Sequence, residues 1–304
     1  MTRLQQLLDV EIPIIQAPMT FIARAPLAAA VSEAGGLGIV ETLSPEGRAD
    51  LLRMRELTAK PFGANLMIQG WKKDPSIVDV LAEARVPVVT TSAGDPALFT
   101  DRLHDAGITV LHVVGSLRAA QKAADAGVDG LVVEGVEGGG FKSAGGASTL
   151  VLLPLVCGAV DLPVVAAGGL CDAASVAAAF VLGAEGAQLG TRMLATEEAG
   201  VHPAFKQAIT AAGDDATVLL SVPGNPTMRV LRNNFGAQVL AGEREGRLLD
   251  GIHELYFGGD MEASVANTGQ VAARIDDVVP VAELVRGIWD GVQGALDAGR
   301  SRLG

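Results

Sequence analysis

At 304 residues the chain has room for one large domain or two small ones. Hydrophobic residues make up 49% and charged residues only 19%, which calls for a large buried core. A net charge of −12, with Lys and Arg scattered and no basic run, speaks against a nucleic-acid partner.

Along the chain, short apolar runs rich in β-formers alternate with stretches of helical period. The opening Met-Thr-Arg-Leu-Gln-Gln has no signal-peptide core. A strand at 12–17 runs into Gln16-Ala-Pro-Met19, and a helix at 26–34 follows. After a strand at 37–40, Ser44-Pro45 sets a cap before a helical proline and opens a helix at 45–58. Strands at 62–66 and 86–90 enclose a helix at 74–84, and Asp95-Pro96 opens another at 96–106. Next come a strand at 109–114, a helix at 116–126, a strand at 130–134 and a helix at 149–160. A strand at 163–167, a helix at 172–182 and a strand at 186–189 complete the series. Gly35, Gly107, Gly127 and Gly183 stand just past helix ends, where a left-handed cap is expected.

Eight such alternations, with strands apolar on both faces, predict an α/β fold, a closed (β/α)8 TIM barrel. An open doubly wound sheet would need a Gly-x-Gly-x-x-Gly turn after the first strand, where Gln16-Ala-Pro-Met19 stands instead. Residues 192–255 break the rhythm: helix-like 203–212 and 234–245 flank Pro223 and Pro226. The expected division is a barrel from 1–191 and 256–304 with a mostly helical inserted subdomain, 192–255, over its mouth. Residues 269–297 would return to the barrel as its last helices. No run approaches the ~18 uninterrupted apolar residues of a membrane span. Cys157 and Cys171 have neither metal nor redox spacing, so the expectation is a reduced cytoplasmic protein without metal, disulfide or membrane partner.

Three consecutive strands end in glycine. Gly130-Leu-Val-Val133 runs into Glu134-Gly-Val-Glu-Gly-Gly-Gly-Phe-Lys-Ser143. Val164-Val-Ala-Ala-Gly-Gly169 and Gly186-Ala-Gln-Leu-Gly-Thr191 follow. Glycine is costly to order and is tolerated where backbone must approach something closely. The last two loops follow strands seven and eight, where barrels bind phosphate. Gly168, Gly169, Gly190 and the hydroxyl of Thr191 therefore predict a phosphate-bearing cofactor or substrate. Arg192 either pairs with that charge or forms a surface ion pair.

These motifs carry a resemblance over nearly the whole chain. Gln16-Ala-Pro-Met19, Ala34-Gly-Gly-Leu-Gly38, Pro61-Phe-Gly-Ala-Asn-Leu66, Glu134-Gly-Val-Glu-Gly-Gly-Gly140, Ala166-Ala-Gly-Gly169, Gly186-Ala-Gln-Leu-Gly-Thr-Arg192 and Gly269-Gln270 occur in the order and spacing of one family. The chain resembles the nitronate monooxygenases, a family that includes flavin-dependent enoyl-acyl-carrier-protein reductases and related quinone reductases. The resemblance implies non-covalent FMN. Ala17, Pro18 and Met19 would lie along the isoalloxazine, Asn65 would hydrogen-bond the ring, and Lys122 would face its polar edge. Gly168, Gly169, Gln188, Gly190 and Thr191 would hold the phosphate, and Gln270 would return near the ring. By residue type alone, Lys122 equally suits a solvated helix face and Asn65 a loop cap.

The chain departs from the family where the glycine run ends. Many members have a histidine there as acid/base; here the residue is Phe141, which carries no proton. Lys142 either substitutes for it or contacts phosphate or solvent. His202 either projects over the flavin or serves the entry of a helix, and Glu137 would anchor the loop. His104 lies on an outer helix. Phe141, Met19, Phe21 and Met67 would make the pocket apolar, for a small apolar or acyl-type substrate.

The expected activity is oxidation of a nitronate or similar carbanion with O2. The alternative is an NADH- or NADPH-dependent flavin reductase of an enoyl thioester, enone or quinone, which Phe141 favours. A non-redox barrel binding a phosphorylated metabolite is the third reading. A homodimer is compatible with each.

Overall fold

The computed structural model describes residues 1–143, 145–244 and 247–303. Its main sheet comprises β1 (Ile14–Gln16), β2 (Gly38–Glu41), β3 (Phe62–Met67), β4 (Val88–Ser92), β5 (Thr109–Val114) and β6 (Gly130–Glu134), with β8 (Val164–Ala167) and β9 (Gly186–Leu189). A two-residue strand, β7 (Gly140–Phe141), lies in the glycine loop. The main strands pair in parallel in the order β1-β9-β8-β6-β5-β4-β3-β2. The ends meet at an Ile15–Leu37 bridge. Leu37 N donates to Ile14 O at 2.9 Å and Gln16 N to Leu37 O at 3.0 Å. Ile39 N donates to the buried side-chain oxygen of Gln16 at 3.1 Å, which closes the barrel.

The inner layer is Ile15, Leu37, Ile39, Val88, Leu111, Val132, Val165 and Ala167, with Leu4, Leu8 and Val10 packed beneath. A short helix, Arg3–Leu8, carries this plug, secured by a Thr2–Gln5 capping box. The sequence reading did not include it, because six residues give too little periodicity. Interior glycines make room for the plug: a Cβ on Gly186 would overlap Leu4 Cδ2. Outside the strands, a larger core buries the apolar faces of the barrel helices.

The strands at 109–114, 130–134 and 186–189 have the expected bounds, and the other main strands shift at their ends by a residue or two. The helix expected at 74–84 narrows to Ile77–Glu83. The one at 96–106 splits into a 3₁₀ turn, Pro96–Leu98, and the helix Thr100–Asp105. The one at 149–160 stops at Cys157 before Gly158. The return segment is a 3₁₀ turn, Gln270–Arg274, and one long helix, Val281–Ser301.

The segment after β9 holds the helices Thr191–Leu194, Pro203–Thr210 and Asn234–Ala241. The last stops at Gly242 in a left-handed cap, φ 72°; residue 245, the expected end, lies outside the described residues. Where a mostly helical segment is expected, the structure also has two strands, β10 (Thr217–Leu220) and β11 (Met228–Leu231). They pair antiparallel, and β11 pairs with β7. Each has four residues and a proline-rich connection lies between them, so neither run stands out by pattern. Their small core includes Met228, Val230, Phe235 and Val265. Among the described residues no helix is long and apolar enough to cross a membrane.

Candidate active site

Register decides which side chains face the barrel axis. Gln188 on β9 is the Cα partner of Ile15 and of Ala167, both inner-layer residues. Its side chain is therefore inward; the residue is 6% exposed, and its Oε1 has no hydrogen-bond partner. Glu134 on β6 is paired with Ala167 by the same register, so it too points to the mouth. Asn65 lies two residues beyond Gly63, whose partner is the inner Ile39. Its Nδ2 donates to Thr90 O at 2.9 Å and lies 3.0 Å from Thr90 Oγ1, which fixes the amide across β3 and β4.

The loops after β6 and β8 interlock. Gly168 and Gly169 have φ of 91° and 78°, where L side chains are strained. A Cβ on Gly168 would lie 3.0 Å from Gly135 O. Thr149 N donates to both oxygens of Glu137, at 2.9 and 3.0 Å. Thr149 Oγ1 reaches Ala167 O and Gly168 O at 3.1 and 2.9 Å. Glu137 thus anchors the glycine loop as expected. The return segment clamps it from the other side: Gln270 N donates to Glu137 O at 2.9 Å and Gly269 N to Thr191 Oγ1 at 2.9 Å. The Gln270 side chain is exposed. A Cβ on Gly190 would meet Ala17 Cβ at 3.4 Å, in van der Waals contact. Ala17 is tied to the same strand end, its N donating to Leu189 O at 2.8 Å. Ala17, Pro18 and Met19 are half-buried beside this cradle.

Several expected site residues lie elsewhere. Lys122 is not free for a flavin edge: its ammonium pairs with Asp95 at 2.7 Å and its side chain is 60% exposed. That lysine holds the Asp95 carboxyl below its usual range. Arg192 pairs with Asp277 at 2.7 Å and so supports the return segment. His202 serves the helix entry, the blander of its two roles: its Nδ1 accepts from Ala204 N at 3.1 Å, and its ring packs where a side chain on Gly259 would sit. His104 pairs with Asp129 outside the barrel. Buried His112 has Nδ1 2.7 Å from Thr91 Oγ1, and burial lowers its pKa to about 4. Phe21, at φ 68°, packs against His253 with ring centroids 4.4 Å apart and planes tilted by 53°. It lines a cleft of about 580 Å³ with Arg24, Asp50, Arg53 and Phe257. This cleft holds none of the cradle residues, and Asp50 already neutralises Arg24 at 2.7 Å. Cys157 and Cys171 are free, and burial raises the pKa of Cys171 to about 11.

Residues 141 and 142 take opposite faces of the small sheet. Phe141 opposes Met228, which belongs to the small core of the segment after β9. Gly140 opposes Arg229, whose Nε donates to Val136 O at 2.8 Å in the glycine loop. Lys142 follows on that second face. Its side chain is 3% exposed and its Nζ lies 2.6 Å from Glu134 Oε1. The charges touch, yet Nζ makes no aligned hydrogen bond. Glu134 stood in the quoted motif without a role; only the pairing with Ala167 shows that it faces inward.

The profile of the nitronate monooxygenases matches residues 1–77 and 72–291. The chain belongs to the nitronate monooxygenase family. It is similar to FabK from Thermotoga maritima, with 35% identity, a TM-score of 0.93 and 99% of both chains covered. It is 32% identical to a nitronate monooxygenase of Pseudomonas aeruginosa over 77% of this chain and 80% of that one. It is 37% identical to the (3aS,4S,5R,7aS)-5-hydroxy-7a-methyl-1-oxo-octahydro-1H-indene-4-carboxyl-CoA dehydrogenase of Rhodococcus jostii, over 77% of this chain but 66% of that protein. The fold is the expected TIM barrel, and the chain is a flavin-dependent oxidoreductase of this family, which sets aside the non-redox reading. The residues present fit a flavin nucleotide. The left-handed Gly168 and Gly169 suit a phosphate, and Gln188 Oε1 and Thr268 Oγ1 are buried without partners among the described residues.

Proposed function

We propose that this chain uses FMN to oxidise a nitronate or a similar carbanionic substrate with O2. One observation carries the reading: a buried Lys142 ammonium stands 2.6 Å from Glu134 Oε1 at the barrel mouth and makes no other polar contact among the described residues. An ammonium carries three N–H donors and Glu134 takes only part of them, so an anionic substrate oxygen would satisfy the rest. Gly168, Gly169, Gly190 and Thr191 would hold the phosphate, with Gln188 and Asn65 at the inner face of the mouth. Bound there, FMN supplies the electron acceptor that O2 regenerates. Met19 and Met67 supply apolar surface for a small apolar or acyl-type substrate. The free thiols suit a reducing cytoplasm.

A second reading is an NADH- or NADPH-dependent reductase of an enoyl thioester, enone or quinone. Phe141 in place of a histidine favours it, as does the likeness to a relative named for a carboxyl-CoA substrate. Anaerobic mixing of the FMN-loaded chain with propyl-2-nitronate, NADH and NADPH separates the two. Bleaching of the oxidised-flavin band by the nitronate supports oxidation of a carbanion. Bleaching by a nicotinamide alone overturns that reading in favour of the second.

A further inference from the structure

We infer that Glu134 is the proton acceptor of this site, so that the chain generates its carbanion from a neutral carbon acid; this rests on the proposed oxidation of a carbanion. The register of β6 against β8 aims Glu134 into the mouth from a strand end rather than a loop. Its side chain is 27% exposed, and Oε1 touches Lys142 Nζ at 2.6 Å. The other carboxylate oxygen has no partner among the described residues, which leaves it available to a substrate.

The competing acids and bases are occupied. Glu137 holds Thr149 N, and Glu41 accepts from Leu43 N and Ser44 N. His202 caps its helix, and His253 is exposed against Phe21, which lines the separate cleft away from the cradle. Gly138 makes the pair possible. A Cβ there would overlap Glu134 Oε1 and come within 3.0 Å of Lys142 Nζ. Gly138 is not among the glycines of positive φ, so space, not backbone conformation, is what the glycine provides.

The step balances within the substrate and these two side chains. The C–H bond next to a nitro group breaks, and its proton passes to the free oxygen of Glu134. The electron pair moves into the C–N bond, and the charge that develops on the nitro oxygen meets the Lys142 ammonium. No oxidant takes part until the carbanion exists. Glu134 touches the substrate proton and is catalytic in this sense, whereas Gly138 is a positioning residue.

The test uses the FMN-loaded full chain with nitroethane in D2O without oxygen. Proton NMR follows loss of the α-proton signal, a readout that requires no oxidation. Wild type is expected to exchange this proton well above the buffer rate. Glu134→Gln is expected to lower exchange about 100-fold or more. It should also lower the ratio of nitroethane to ethylnitronate turnover by a similar factor. Glu134→Asp should recover part of the exchange, and covers the case in which the glutamine variant does not fold. Gly138→Ala should lower exchange with both charges retained. Absence of exchange in wild type, or equal loss of both substrates in Glu134→Gln with FMN still bound, overturns the inference. Exchange without any nitronate oxidation would sustain Glu134 as base and instead sink the proposed oxidation.

Discussion

The two ends of the barrel use glycine for opposite purposes. At the closed end, Gly186 is small so that Leu4 can enter, and the space is full of hydrocarbon. At the mouth, Gly138 is small so that a charged pair can sit beneath it. Among the described residues the plug has no buried polar side-chain atom without a partner, whereas the mouth holds Gln188 Oε1 and Thr268 Oγ1 without hydrogen bonds, with the Lys142–Glu134 pair. The difference separates residues that fill the barrel from residues that the proposed function assigns to a ligand. Substitutions at one end should move stability with little effect on flavin, and at the other the reverse.

The largest effect is expected from Leu4→Ala, which empties the plug. It should cost about 2–5 kcal/mol in urea unfolding while FMN stoichiometry in the folded protein stays the same. A proportionate loss of FMN would break the separation. Next is the pH dependence of the frame. His112 has its pKa lowered to about 4 by burial, so between about 6.5 and 4 the unfolded chain binds the extra proton. Stability should therefore fall as pH drops through that window, by about 1.4 kcal/mol per unit at most. His112→Phe should flatten this slope in unfolding titrations. Gly168→Ala should weaken FMN binding on the order of tenfold, since a left-handed alanine costs roughly 1–2 kcal/mol. Fluorescence titration of the apoprotein reads it. Lys122→Ala should do least. Its exposed pair with Asp95 contributes under about 1 kcal/mol, and the flavin spectrum should not move. A shifted spectrum would return Lys122 to the ring.

Much of this layout was legible from local signals. Alternating runs and helix caps announced the barrel, and strand-ending glycines announced the tight, interlocked loops at its mouth, because both properties belong to the chain's own backbone. Pairwise properties were not legible. Lys122 sits on an amphipathic helix in either role, and only the position of Asp95 shows where its charge goes. Glu134 faces inward because β6 lies in one register against β8, a relation between residues more than 30 apart. β10 and β11 form because β7 offers β11 an edge, which four-residue runs cannot advertise. The lysine beside Phe141 was visible, but its burial depended on which face of β7 met Arg229.

The seam between β1 and β2 has a further consequence. Elsewhere adjacent strands share a ladder, but here one bridge, two backbone hydrogen bonds and the Gln16 side chain hold the cylinder shut. Local opening in a protein begins where the fewest bonds must break. The seam ends directly in Ala17, Pro18 and Met19, so the loop beside the cradle hangs on the joint that yields first. Amide exchange at Leu37 and Ile39 would then report cofactor occupancy from inside the wall, slowing as the cradle fills and quickening as it empties.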